Sequence, residues 1–445
     1  MDRSDLLRIH WHSYDLETTK VDLKYDLDSE SFTETYHLPG CCTGGDPEVV
    51  ERLVGTLHVL AGVSYFKTSL PLSVEIEHPV SPEDAAFFTT VYEKGLGELF
   101  FKNKIDPKGI VSIPSNAETT KHVPAPVAAK KKLKVLVPFG GGKDSVVTAM
   151  LLKEAGHDVT LLRVGAHGTI DALAKSLGLP LLLVDRRLDP SLFALNARGA
   201  YNGHVPITSI ISAVAMLVAE TAGFDVVAFS NERSANDANL VWNELEINHQ
   251  WSKSLEFERA FRTHLAETCG TSVEYVSMLR PWSEIRIVQE FTRFSAALPH
   301  FTSCNKNWKI KPTDGFTHQE VHPSVWCKGC PKCAFTGVLL AAFLPREQVV
   351  AIQGGDVLMT PALVPLYEEL LGISGHKPFE CVGTPQETAA AFHLAHERNG
   401  YEDSEPMRTY LHSDLAKDGA RHAKEALVPS DEHCLTPQLL SALPT

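Results

Sequence analysis

Leu133-Lys-Val-Leu-Val-Pro-Phe-Gly-Gly-Gly-Lys-Asp-Ser-Val-Val-Thr-Ala-Met-Leu-Leu-Lys-Glu154 reads as a strand, a glycine turn and a helix. Three successive glycines, Gly140, Gly141 and Gly142, let backbone N–H groups turn inward unobstructed. A helix starting near Ser145 aims its positive dipole end at the same spot. The stretch is therefore an anion cradle. A Walker A loop would require Gly at 137 and Ser or Thr at 144, where the chain has Val137 and Asp144. A dinucleotide fingerprint would require a third Gly at 145, where the chain has Ser145, and a carboxylate near 160 to 166, where it has none. What remains is G-G-x-D-S directly after a strand.

Outward from this turn, Lys134–Val137, Asp158–Val164, Leu181–Val184, Asp225–Phe229 and Val273–Ser277 read as strands alternating with helical segments. Strands spaced by helices predict an α/β fold with a parallel, doubly wound sheet and ligands at the carboxyl ends of its strands. Residues 1–112 read as an N-terminal α+β domain, with strands at Leu6–His12 and Val21–Tyr25 and helices at Pro47–Leu60 and Pro82–Leu96. Residues 113–133 are rich in Pro, Ala and polar residues and read as a linker. The sheet domain takes 134–300, and a mostly helical C-terminal unit with a cysteine cluster takes 301–398. Residues 399–445 read as a surface extension.

The chain has 445 residues, 44% apolar and 22% charged, a globular composition with a prior of two or three domains. Its 41 Lys and Arg against 55 Asp and Glu give a net charge of -14, which argues against a general grip on nucleic-acid phosphates. The charged N-terminus lacks a signal-peptide pattern, and the apolar run Ile207–Ala219 is too short to span a bilayer. Nine cysteines in such a chain fit a reducing cytosol. The expectation is a cytoplasmic protein acting on a small molecule, without nucleic-acid or membrane partners.

The G-G-x-D-S turn resembles the pyrophosphate loop of PP-loop ATP pyrophosphatases (adenine nucleotide alpha hydrolase-like), whose motif is S-G-G-x-D-S. The resemblance implies that Gly140, Gly141, Gly142, Lys143, Asp144 and Ser145 hold ATP phosphates, with Gly140 standing in place of the leading serine. Lys143 would then be a mobile positive charge for the leaving pyrophosphate, and Asp144 a holder of Mg2+. Two polar stretches are expected at the same sheet edge: Ser230-Asn-Glu-Arg-Ser-Ala-Asn-Asp-Ala-Asn239 and Asn248-His-Gln-Trp-Ser-Lys-Ser-Leu-Glu-Phe-Glu258. From these, Asn231, Glu232, Arg233, Ser234, Asn248 and Ser252 are candidates for substrate binding.

These motifs, with Leu57-His-Val-Leu-Ala-Gly-Val-Ser-Tyr65, Ser303-Cys-Asn-Lys-Asn-Trp308, Cys327-Lys-Gly-Cys-Pro-Lys-Cys333 and Lys377-Pro-Phe-Glu-Cys-Val-Gly383, resemble the UDP-N-acetylmuramoyl-L-alanyl-L-glutamate epimerase family, MurL. The resemblance covers roughly residues 50 to 395. It implies ATP- and Mg2+-dependent inversion of the terminal L-glutamate of a peptidoglycan precursor through an acyl-adenylate, with release of AMP and pyrophosphate. Asp144 is the expected residue for adenylation, and Lys253, His249 and Cys304 are the expected candidates for moving the α-proton. Cys327, Cys330 and Cys333, with Cys304 upstream, offer four thiols for a structural Zn2+. Cys41, Cys42, Cys269, Cys381 and Cys434 read as isolated, structural cysteines. A PP-loop tRNA thiolase or 7-cyano-7-deazaguanine synthase is the alternative enzyme class, and a non-catalytic nucleotide-binding regulator is the second alternative.

Overall fold

A computed structural model describes residues 3–15, 17–124, 129–165, 167–308, 325–398 and 400–444; parts of the expected linker (125–128) and C-terminal unit (309–324) lie outside the described residues. The strands in chain order are β1 (Leu6–Ile9), β2 (Ser13–Asp15), β3 (Lys20–Leu27), β4 (Glu30–His37), β5 (Ser73–Ile76), β6 (Lys134–Pro138), β7 (Asp158–Val164), β8 (Leu181–Arg187), β9 (Val226–Phe229), β10 (Leu240–Trp242), β11 (Leu245–Ile247) and β12 (Glu274–Ser277). Ten of them form one sheet in the order β12-β9-β6-β7-β8-β4-β3-β1-β5, with β2 on β3, and β10 and β11 make a separate hairpin. The chain is a mixed α/β protein with a large, parallel-rich sheet.

The stretch from β12 to β8 is wholly parallel. Among these five strands the spatial order is fifth, fourth, first, second, third, so the winding reverses between β6 and β9. Such reversal points open a crevice at the carboxyl ends of the strands, and the glycine turn leaves β6 there. Side chains of β6 alternate between two cores, as the pleat requires. Val135 and Val137 join the core containing helices Lys143–Glu154, Glu284–Phe291 and Pro331–Ala341, while Leu136 joins that of helices Pro47–Ser69 and Ile207–Ala222.

The N-terminal strands continue the parallel sheet through β4 and β8, which pair antiparallel with Tyr36 opposite Arg186. The three residues that make this seam, Asp185, Arg186 and Arg187, extend β8 beyond the expected Val184. Their charge hides a strand that is paired on both sides. Arg186 is buried and donates to Glu34 Oε1 at 2.7 Å, where Tyr36 Oη also donates at 2.5 Å.

Helix Pro47–Ser69 runs nine residues past the expected end and is apolar enough to cross a membrane by length and composition. Its most apolar window is 89% buried inside the protein, so it packs as a core helix. The described residues of 399–445, a stretch expected as a surface extension, instead pack into the core through helices Glu405–His412 and Gly419–Leu427. Met407, Tyr410 and Leu439 are at most 1% exposed. The apolar residues lie on single faces of short, otherwise polar helices, which gives the stretch a polar average composition.

Candidate active site

The turn after β6 is built as glycine chemistry demands. Gly141 has φ +75°, a left-handed conformation costly for a side chain, and its carbonyl accepts from Thr302 N at 3.0 Å. Gly142 is the N-cap of helix Lys143–Glu154 and supplies no side-chain cap, so the first N–H groups of that helix are not spent on a capping side chain. A Cβ built on Gly140 would meet nothing within 4 Å. Ser145 Oγ donates to the Gly142 carbonyl at 3.0 Å.

Lys143, expected to be mobile, is 1% exposed and clamped between Asp144 Oδ1 at 2.5 Å and Glu284 Oε2. Burial alone would strip its proton, but the two carboxylates outweigh this and hold the ammonium above its ordinary range. Burial would also raise Asp144, yet Lys143, Lys332 and Lys253 keep it below the usual carboxylate value. Glu284 comes from the start of helix Glu284–Phe291, after β12. Burial pushes its carboxyl up, with the charges of Asp144 and Glu232 adding to the effect.

From Asp144 the charges continue through Lys253 to Cys381. Lys253 Nζ lies 3.2 Å from Cys381 Sγ. Burial alone would raise this thiol, but Lys253, a hydrogen bond with His249 and the charge of Lys332 bring it down to about 5. Burial opposes the charge of His249, yet Cys381 and Glu98 raise it to about 9. Its Nδ1 lies 2.5 Å from Glu98 Oε2. Burial also opposes the ionised form of Glu98, but His249 and Lys102 bring its carboxyl down to about 2. His204 lies against His249 with ring centroids 4.0 Å apart and planes tilted by 39°, and burial and that neighbouring charge lower it to about 3. At neutral pH the site therefore carries a thiolate beside an imidazolium and an ammonium. Lys253 is held protonated, with burial opposed and outweighed by Cys381 and Glu232. Lys253 and His249 thus carry protons, and Cys381, in contact with Lys253, is not an isolated cysteine.

Both polar stretches meet at Arg280, fully buried against Glu258 with Nε 3.2 Å from Oε2. Its guanidinium donates to the carbonyls of Glu232 (2.6 Å) and Lys253 and so fixes one segment against the other. Asn231 donates to Ser277 Oγ at 3.0 Å, and Asn248 bonds the Ala235 carbonyl and Gln250 N, so these amides are used within the scaffold. Ser252 is buried. Arg233 and Ser234 line a cavity of about 250 Å3 with Glu387 and His422, and the Glu387 carboxylate accepts from Glu284 N at 2.9 Å. A larger cavity of about 810 Å3 adjoins Asn236, Asn248 and Trp251.

Cys304 lies with Cys327, Cys330 and Cys333, their sulfurs within 4.8 Å of one another. No disulfide forms among them. Cys333 Sγ lies 3.8 Å from Cys327 and 3.6 Å from Cys330, close to the separation of about 3.8 Å that Zn–S bonds of about 2.3 Å impose in a tetrahedron. Gly329 N donates to Cys327 Sγ at 3.4 Å, the hydrogen bond of a metal knuckle. Cys304 thus stands with the thiol group rather than beside Lys253. The helix that begins here carries Lys332, whose N–H donates to Glu380 Oε2 at 3.2 Å, next to Cys381.

Glu98, His204, Glu284, Lys332 and Cys381 were not anticipated as members of one site, because each lies on a different segment. Only the stretches around Lys332 and Cys381 gave a signal, as two of the quoted motifs.

A model of the MurL N-terminal domain matches residues 1–278, and one of the MurL C-terminal domain matches residues 300–426. The chain is similar to the UDP-N-acetyl-alpha-D-muramoyl-L-alanyl-L-glutamate epimerase of Salinispora tropica, with 39% identity over 90% of this chain and 87% of the relative. It is similar to the protein of the same description from a Micromonospora species, with 38% identity over 99% and 98%. A shorter match, 29% identical over 31% of this chain and 38% of the relative, links it to 7-cyano-7-deazaguanine synthase 2 of Sulfurisphaera tokodaii.

Proposed function

The chain belongs to the MurL family, and on that premise we propose that it inverts the terminal L-glutamate of UDP-MurNAc-L-Ala-L-Glu to D-glutamate in peptidoglycan precursor synthesis. The reaction is driven by ATP through an acyl-adenylate, on a sheet and glycine turn of PP-loop type. One observation carries the reading: a continuous row of charges joins the uncapped start of helix Lys143–Glu154 to a cysteine held as thiolate.

A Cα–H beside a free carboxylate is a very weak acid, because its loss would put a second negative charge next to the first. In the first step an oxygen of that carboxylate attacks the α-phosphorus of ATP; an O–P bond forms and the bond to pyrophosphate breaks. The N–H groups of the glycine turn hold the phosphates, and the carboxylate oxygens of Asp144 and Glu284 that do not contact Lys143 would hold Mg2+, which would supply neutralisation of phosphate charge. The carboxylate is now a neutral, electron-withdrawing anhydride. Cys381 thiolate takes the α-proton, becoming a thiol, and the electron pair moves into an enolate-like carbonyl. Lys253 and His249 steady that charge and hold the protons available for return, and return to the opposite face inverts the centre. Water then adds to the acyl carbon and AMP leaves. The four thiols suit a structural Zn2+, which would fix the start of helix Pro331–Ala341 and hence Lys332.

The setting we propose is the cytoplasm, without membrane or nucleic-acid partners, in keeping with a nucleotide-linked substrate and a net charge of -14. The short match to a 7-cyano-7-deazaguanine synthase favours a second reading, a PP-loop tRNA thiolase or 7-cyano-7-deazaguanine synthase-like enzyme acting on another substrate. Release of AMP and pyrophosphate, measured with UDP-MurNAc-L-Ala-L-Glu, bare L-glutamate and tRNA, separates the readings. Release only with the muramoyl dipeptide is expected. Release only with tRNA would overturn the proposal, and nucleotide binding without release would assign a regulatory role.

A further inference from the structure

His12, His58 and His78 meet in the N-terminal part of the fold. His12 precedes β2, His58 lies midway along helix Pro47–Ser69, and His78 follows β5. One ligand atom from each lies within 4.8 Å of the others. Their ring centroids are 5.4–5.7 Å apart. His58 and His78 are 0% and 5% exposed, and the His12 side chain is 2% exposed.

Each ring keeps one buried nitrogen without a hydrogen-bond partner: His12 Nδ1, His58 Nδ1 and His78 Nε2. Buried polar atoms are nearly always paired, and three orphans in one cluster call for a common ligand. The other nitrogens of two rings set the tautomer. His12 Nε2 lies 2.9 Å from Glu51 Oε1, and His58 Nε2 donates to the Lys24 carbonyl at 3.1 Å. With Nε2 as the donor, Nδ1 presents a lone pair, and carboxylate or carbonyl support behind a ligating imidazole is the usual arrangement around a metal. The Cβ of a residue at position 55 would stand 3.5 Å from both His12 Cε1 and His78 Nδ1, so the helix backbone at Gly55 forms one wall.

We propose that His12, His58 and His78 form a second metal site, remote in sequence from the cysteine cluster, that binds one Zn2+-class cation through three imidazoles. Imidazole donors select borderline cations such as Zn2+ over Mg2+ or Ca2+. Zn–N bonds of about 2.0–2.1 Å put neighbouring donors about 3.3 Å apart in a tetrahedron, which a small inward turn of the rings supplies. The cation cross-links the segment after β1, the long core helix and the segment after β5. It stands independently of the reading of the thiolate site.

The test uses the full chain, stripped with a chelator and reloaded with Zn2+ alone. Zinc per chain is measured for the parent, His12→Gln and His58→Gln, with folding followed by circular dichroism. The expected result is loss of one equivalent in each variant, with any cysteine-bound equivalent retained, and a zinc-dependent rise in Tm larger in the parent than in His12→Gln. Unchanged stoichiometry in a folded variant would overturn the site. Should the variants fail to fold, X-ray absorption at the zinc edge of the parent decides. A nitrogen shell of imidazole type supports the site, and a sulfur-only shell, or no retained zinc, overturns it.

Discussion

Replacing Cys381 with serine removes a single atom's worth of chemistry and leaves the shape of the site. The fall of this thiol from 9.0 to about 5 amounts to a preference of about 5 kcal/mol for the anion over an unperturbed thiol. Lys253, 3.2 Å away, is the largest favourable contributor, ahead of the hydrogen bond with His249 and the charge of Lys332. A thiol lowered in this way is ionised at neutral pH, whereas a serine hydroxyl in the same place keeps its proton. Loss of a positioned base costs about 100- to 10,000-fold, and Cys381→Ser should slow α-proton exchange by that range. Adenylation depends on the glycine turn and Asp144, so AMP release should stay within a few-fold of the parent. The assay is incubation with ATP and UDP-MurNAc-L-Ala-L-Glu in heavy water, reading deuterium at Cα by mass spectrometry and AMP by chromatography. Undiminished deuterium uptake in the variant would refute the assignment of Cys381 as the base.

Asp144→Ala should abolish both AMP release and deuterium uptake while the fold persists, since this side chain is 25% exposed and Lys143 keeps Glu284 as a partner; retained AMP formation would remove the glycine turn from the mechanism. The kcat/KM profile should rise with pH through about 5 as Cys381 ionises and fall through about 9 as His249 loses its proton. In Lys253→Met the acid limb should move upward, toward an ordinary thiol, and an unmoved limb would contradict the pairing. Arg280→Met strands Glu258, 1% exposed, as an unpaired buried charge, so urea unfolding should report a loss of about 3–5 kcal/mol; a loss below about 1 kcal/mol would deny Arg280 its role in joining the two polar segments.

The parallel strands were legible because β-branched runs such as Val135–Val137 can be satisfied only in a sheet covered on both faces. The end of β8 was not, since Asp185, Arg186 and Arg187 read as a loop until Glu34 and Tyr36 arrive from the far end of the chain. Local chemistry also announced the glycine turn, where three glycines precede Lys143 and Asp144, and the thiols at 327, 330 and 333. The lowered pKa of Cys381 is a property of its surroundings. Lys253 lies 128 residues away in sequence, and Glu98 reaches His249 across 151. No spacing rule encodes those meetings. Lys143 misled for the same reason: beside glycines it reads as mobile, and only Glu284, brought by β12, locks it.

Oxygen isotope transfer tests the central claim most directly. Substrate carrying oxygen-18 in the α-carboxylate of its terminal glutamate should yield AMP bearing one labelled oxygen, because the carboxylate oxygen becomes the bridge to phosphorus and leaves with AMP when water adds to the acyl carbon. Inversion to D-glutamate accompanied by unlabelled AMP, or proceeding at full rate without ATP, would contradict activation as an acyl-adenylate.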